Sequence, residues 1–168
     1  MTADGASDGG LGELYERHVG RAVALARVLT GDPHLAEDLA HDAFVRVAGR
    51  FGHLRHPDAF DANLRRAVLN LCRARWRRLR LERAWERRQA RREDPAPAAY
   101  DSQERDAVWR AIECLPYRQR AAVVLRYYED LSVESVANML GCSTRAARSL
   151  LARAMATLRQ TLKEERFP

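Results

Sequence analysis

LSVESVANMLGCSTRAARSLLARAMATLR, residues 131–159, decides the fold. Ser132 precedes Val133, Val136, Ala137 and Leu140, which share one helix face, and its hydroxyl can cap that helix. Gly141 ends the helix at the position that wants a positive φ. Ser143 then caps a second helix whose inward stripe is Ala147, Leu151, Ala154 and Leu158, spaced four, three and four apart. Thr144, Arg145, Arg148, Ser149, Ala152 and Arg153 are left facing outward. A short helix, a tight turn and a second helix with arginines and short polar residues outside fits the DNA major groove. Arg145 and Arg148 are the candidates for guanine, Thr144 and Ser149 for phosphate or base edges. Arg153, farther along, suits a phosphate or an ion pair within the domain. A helical hairpin that only packs is the competing reading of this segment alone.

Upstream, Glu104 to Cys114 and Pro116 to Glu129 supply two more helical pieces, so a domain is expected over 103–163, followed by a tail at 164–168. Asp94-Pro95-Ala96-Pro97-Ala98-Ala99 cannot form a helix interior, and the dense charge around it marks 82–102 as a linker. Before the linker, three helical stripes follow one another. The first carries Leu11, Leu14, Tyr15, Ala22, Leu25, Ala26 and Leu29. Thr30-Gly31-Asp32-Pro33 stops it and starts the next, with Gly31 free to turn left-handed, Asp32 able to cap and Pro33 suited to the first helical position. The second runs to about Arg50 with Leu35, Leu39, Ala43, Phe44 and Val47 inward. The third, after the loop closed by Pro57, carries Phe60, Leu64, Ala67, Val68 and Leu71. Such a trio makes one small bundle over 11–81, behind a polar tail at 1–10. Strand-period alternation is absent, so the expectation is an all-α chain of two small helical domains joined by a flexible linker.

The charge points to a polyanion. The formal net charge is +6. From Arg73 to Arg92 ten Arg stand against two Glu, a balance of +8, which leaves −2 for the rest of the chain. Among 29 basic residues only Lys163 is lysine, and Arg grips phosphate and guanine bidentately where Lys acts as a point charge. The same usage also follows from a GC-rich genome. Arg73, Arg75, Arg77, Arg78 and Arg80 come too densely for one helix face and wrap around it, with Trp76 between them. They suit phosphate contact, and also a solvated helix end, where cations are stabilising. Trp76 lies in phase with Val68 and Cys72, which favours a half-core ring over one that stacks on an unpaired base. On the second helix Glu37, Asp38 and Asp42 form an acidic face, either simply solvated or, around Leu39 and Val45, a protein docking surface.

Other classes find no support. The three cysteines are far apart, without metal-ligand spacing. No apolar run reaches membrane-spanning length, and the N-terminus lacks a basic and apolar signal, so a reducing cytoplasm is the expected location. Nucleophile–base pairs and phosphate-binding glycine loops are likewise absent, which argues against an enzyme and against any cofactor or small-molecule substrate.

Taken together the pieces resemble the bacterial sigma factors of the extracytoplasmic-function group, over about Leu11 to Lys163. Leu115-Pro116, RQRAAVVLRYYEDLS, A-x-x-LGCS, S-x-L-x-RA and LR resemble region 4 of that family. LTGDPHLAEDLAHDAF, then Asn70-Leu71 and the arginine cluster, resemble region 2. The resemblance implies a non-catalytic factor that binds core RNA polymerase and directs it to promoter DNA, with an anti-sigma factor as a partner by family habit. It makes Asp38, Leu39, His41 and Asp42 candidates for docking on the polymerase. It assigns the −10 element to the Phe51–Pro57 loop and to Asn70, Arg73, Arg75, Trp76, Arg77 and Arg78. It assigns the −35 element to Ser143, Thr144, Arg145, Arg148, Ser149 and Arg153. Three departures stand out: His41 where Gln is usual, Asn63 where an aromatic precedes Leu64, and Arg145 to Arg148 in place of Gly-Thr-Val-Lys. The runner-up is a stand-alone helix-turn-helix regulator that binds duplex DNA without polymerase.

Overall fold

The computed structural model of the chain describes residues 7–50, 57–89 and 107–166, and among these there is no strand. The elements are α1 (Ser7–Thr30), α2 (Pro33–Ala48), α3 (Pro57–Gln89), α4 (Ala107–Cys114), α5 (Tyr117–Val123) running into one π-helical turn (Val124–Tyr128), α6 (Val133–Leu140) and α7 (Thr144–Arg166). α1 starts at Ser7, ahead of the apolar stripe that opens at Leu11. α3 runs to Gln89, well into the stretch read as linker. Its sequence after Pro57 contains neither Pro nor Gly up to Gln89, and Arg78–Glu82 pairs at i,i+4, so charge density alone does not stop it. The Phe51–Pro57 loop up to His56, the Pro-rich core of the linker and both chain ends lie outside the described residues.

The chain divides into two compact units, Met1–Arg73 and Ala74–Pro168. The first is built by α1, α2 and the first half of α3. Its α1–α2 corner follows from local chemistry: Gly31 takes φ 73°, the Asp32 carboxylate accepts from the Leu35 N–H, and Pro33 opens α2. Leu25, Ala26, Leu29, Ala40, Ala43, Phe60, Leu64 and Val68 fill the core. Tyr15, Phe44 and Phe60 interlock edge to face, with ring centroids 4.9 and 5.6 Å apart. On α3 the buried stripe runs through Leu69 and Cys72, while Leu71, expected inward, is only half-buried.

The second unit wraps around α5, where Arg120 to Leu125 are buried without a break. The Arg120 guanidinium donates to the carbonyls of Glu113 and Leu115, closing the end of α4. Burial lowers its pKa, against the opposing pull of Glu113. The π turn displaces the following residues by one, which turns Tyr127 and Tyr128 outward, and the chain leaves it through Asp130 with φ 52°. α6 and α7 then follow the sequence pattern closely. The Ser132 hydroxyl accepts from Ser135 N–H, and Gly141 takes φ 60°, ψ 47°. Cys142 N–H donates to the Ala137 carbonyl and Gly141 N–H to that of Asn138, the two bonds of a Schellman ending. Ser143 Oγ accepts from Ala146 N–H.

Candidate nucleic-acid interface

α7 is held by Ala147, Leu151, Ala154 and Leu158, all buried. Ala147 and Ala154 are fully buried, so α7 packs closely against the rest of its unit at these two positions. That anchoring fixes the opposite face, where Arg145, Arg148, Ser149, Ala152 and Arg153 are exposed and Thr144 is half-exposed. The Arg153 Nε donates back to the Ser149 carbonyl at 3.2 Å, so its head lies along the helix. Arg148 Nη2 stands 3.6 Å from Glu134 Oε1, an ion pair linking the second turn of α7 to the first turn of α6. Arg145 has no charged partner among the described residues. Glu134 was missed from sequence, because a Glu in the first turn of a helix reads as a dipole complement and nothing more.

The first unit carries a second polar surface. A hollow of about 710 Å³ opens between the end of α2 and the middle of α3. Asn63, Arg66 and Asn70 line it from α3, Arg46 from α2 and Arg50 from the turn just after it. Asn70 and Asn63 were legible from the sequence through the family resemblance, whereas Arg66, Arg46 and Arg50 were not. Their spacing of three and four on α3, and of four between Arg46 and Arg50, was the available signal. The Asn63 amide donates to the Ala59 carbonyl at 2.7 Å, which leaves its oxygen as an acceptor on the hollow's wall. Five basic or amide side chains around a recess suit an unpaired base and its phosphate.

The arginine run divides. Arg73 closes the first unit, while Arg75, Trp76, Arg77 and Arg78 fall in the second and do not line the hollow. Arg73, Arg77 and Arg78 are exposed, and Arg75 is half-buried. Trp76 is half-buried, with the Arg80 guanidinium 5.0 Å over its ring and the Tyr117 ring 5.9 Å away. Those neighbours already occupy the ring, in line with the half-core expectation.

The acidic face of α2 presents Glu37, Asp38, His41 and Asp42 to solvent. Leu39 does not join them. It is 9% exposed and belongs to the core, so its expected part in docking is corrected; Val45, 54% exposed, is the apolar residue on that surface. His41 rests edge-on against Tyr15 at 6.0 Å. Among the described residues no group of His, Cys, Asp and Glu could hold a metal, and no helix is long and apolar enough to cross a membrane.

The family pattern described as Sigma-70 region 2 matches residues 14–82, and that described as Sigma-70, region 4 matches residues 105–158. The chain is 35% identical over 142 residues to the RNA polymerase sigma-E factor of Streptomyces avermitilis, covering 82% of this chain and 76% of that one. It is 33% identical over 153 residues to the ECF RNA polymerase sigma factor SigM of Mycobacterium tuberculosis, covering 89% and 76%. Among solved structures it is similar to CnrH in complex with the cytosolic domain of CnrY, with a TM-score of 0.62, 26% identity and 92% and 88% of the two chains covered. The sigma factor RpoE in complex with the anti-sigma factor NepR from Bartonella quintana shares the fold, with a TM-score of 0.67 at 24% identity over 86% and 91%.

Proposed function

The chain belongs to the RNA polymerase sigma factors of the extracytoplasmic-function group, and from that membership we propose how its surfaces divide the work. It is a promoter-specificity factor for core RNA polymerase. The stand-alone regulator gives way, because a region 2 match occupies residues 14–82, where such a regulator needs nothing of the kind.

The −35 element is read by the outer face of α7, from Ser143 to Arg153. The observation that carries this is the orientation of α7: four buried residues on one face leave Arg145 and Arg148 outward near the helix N-terminus, where base edges are met. Ser143 serves as the cap, and its hydroxyl can still donate to a phosphate. The −10 element is read by the hollow around Asn70, with Arg73, Arg77 and Arg78 on the backbone; Trp76 and Arg75 support that helix from within. Core polymerase docks on Asp38, His41, Asp42 and Val45 of α2. An anti-sigma factor competes for these surfaces, a reading supported by the likeness to CnrH, solved with CnrY. The domains span about 11–81 and 103–163, and the segment between them begins with the helical end of α3, which runs to Gln89. The chain works in the cytoplasm, without cofactor and without catalysis of its own.

Run-off transcription with purified core polymerase tests this. Arg145→Ala with Arg148→Ala should abolish promoter selectivity and leave core binding intact. Equal loss of both, or absence of any specific transcript from the unaltered chain, refutes the division.

A further inference from the structure

Three arginines share the outer face of α7, and they are not equivalent. Arg153 is folded back on its own helix. Arg145 is unpaired among the described residues. Arg148 alone of the three faces a carboxylate, Glu134, 3.6 Å away, and both side chains are about two-thirds exposed, 68% and 65%. Exposed ion pairs add little to stability, so holding α6 to α7 is a poor reason for this one. Nor does Arg148 fix the place of Glu134: the carboxylate sits in the first turn of α6, where the helix dipole favours it and the Ser132 cap sets the turn.

A carboxylate on a DNA-facing surface is repelled by phosphate wherever the protein lands. Its presence beside a guanidinium has a specific consequence. Phosphates are offered by every site, whereas guanine O6 and N7 are offered only by some. An arginine neutralised in part by a neighbour gains less from phosphates. A guanidinium has five N–H donors in a rigid plane, so one edge can face the carboxylate while the other is presented to a base. Holding it there also removes rotamers that binding would otherwise have to freeze out.

Resting on the reading of α7 as the −35 reader, we propose that Glu134 is a specificity-determining residue of this chain. It positions Arg148 for guanine and withholds it from the phosphate backbone, so that Arg148 supplies discrimination at the base pair it reads. Glu134 lowers binding to unrelated DNA more than binding to the correct site, which is how a repulsive group raises selectivity.

The test uses holoenzyme reconstituted from core polymerase and the full chain, transcribing a promoter library randomised through the −35 region, with the transcripts sequenced. Arg148→Ala locates the base pair that Arg148 reads, as the position where preference disappears. Glu134→Gln keeps the shape and removes the charge. It should reduce preference about tenfold at that same base pair and leave the other positions unchanged. Retention of the free chain on a promoterless duplex should rise, its log-affinity against log-salt slope steepening by about one. Glu134→Asp should restore most of the preference. Unaltered preference and slope in Glu134→Gln, beside a clear loss in Arg148→Ala, reduces Glu134 to a surface pair and overturns the inference. Loss of preference at every −35 position marks a structural role and overturns it too. If Arg148→Ala changes no position, the −35 role of Arg148 fails first, and the inference falls with it.

Discussion

Cys72 shows what burial does to a single group. Enclosed in the first unit's core, its thiol is pushed from the ordinary 9.0 up to about 12. The ionised form is the one that water stabilises and the core excludes. Below pH 9 the thiol is neutral whether the chain is folded or not, so the contribution to stability is fully present. As pH rises from 9.0 towards about 12 the unfolded chain loses this proton first, and stability falls by roughly 1.4 kcal/mol per pH unit over that window. Urea midpoints compared between the chain and Cys72→Ala across pH 8 to 10.5 should converge as pH rises, and parallel curves would contradict the burial. In the folded chain at pH 8, iodoacetamide should label exposed Cys114 and spare Cys72. Gly141 makes the complementary point about the backbone. A Cβ placed there meets nothing within 4 Å, yet φ is +60°. Gly141→Ala should therefore cost about 1–2 kcal/mol through backbone strain alone, with Gly141→Asn milder. Equal urea midpoints for all three chains would mean that the turn is not left-handed.

At the scale of elements, α6 and α7 were legible in the sequence nearly residue by residue. Caps, a left-handed glycine and a four-three-four stripe all act over one or two turns, and the structure repeats them at Ser132, Gly141, Ser143 and the four buried positions of α7. What depends on distant partners was not legible. The π turn at Val124–Tyr128 has no local signature, since it reconciles the buried run from Arg120 to Leu125 with the direction that α6 must take. Leu39 was legible as an inward residue of its helix stripe, and its burial leaves the resemblance-based docking role to the exposed residues around it. The hollow exists because the ends of α2 meet the middle of α3, a juxtaposition that neither helix announces by itself. The packing of α7 is open to test. Ala147 is fully buried, so Ala147→Leu must push α7 away from its neighbours at a cost of about 1–3 kcal/mol. Hydrogen exchange should quicken in the amides of α6 and α7 and stay unchanged in α1 and α2. Uniform quickening through both units would show that this packing is not a local joint.

For the whole molecule, charge separates two kinds of partner. The arginine-rich stretch of α3 and beyond holds +8, and the remainder of the chain is slightly acidic. The exposed carboxylates of Asp38 and Asp42 lie on a helix whose own Arg or Lys is Arg46 in its last turn. If that face binds polymerase through complementary charge, reversing it should do two opposite things. Asp38→Arg with Asp42→Arg adds two charges per site and takes the formal net charge from +6 to +10. Generic attraction to DNA must then rise, with a steeper salt dependence. Affinity for core polymerase should fall at least tenfold, since like charges now face each other across the interface. Both side chains are exposed, so helicity and melting should not move. Native gels with core polymerase and filter binding to a promoterless duplex measure the two effects on one preparation. A parallel rise in both affinities would mean that α2 meets the polymerase only through general electrostatics, and the docking site would have to be sought on another face.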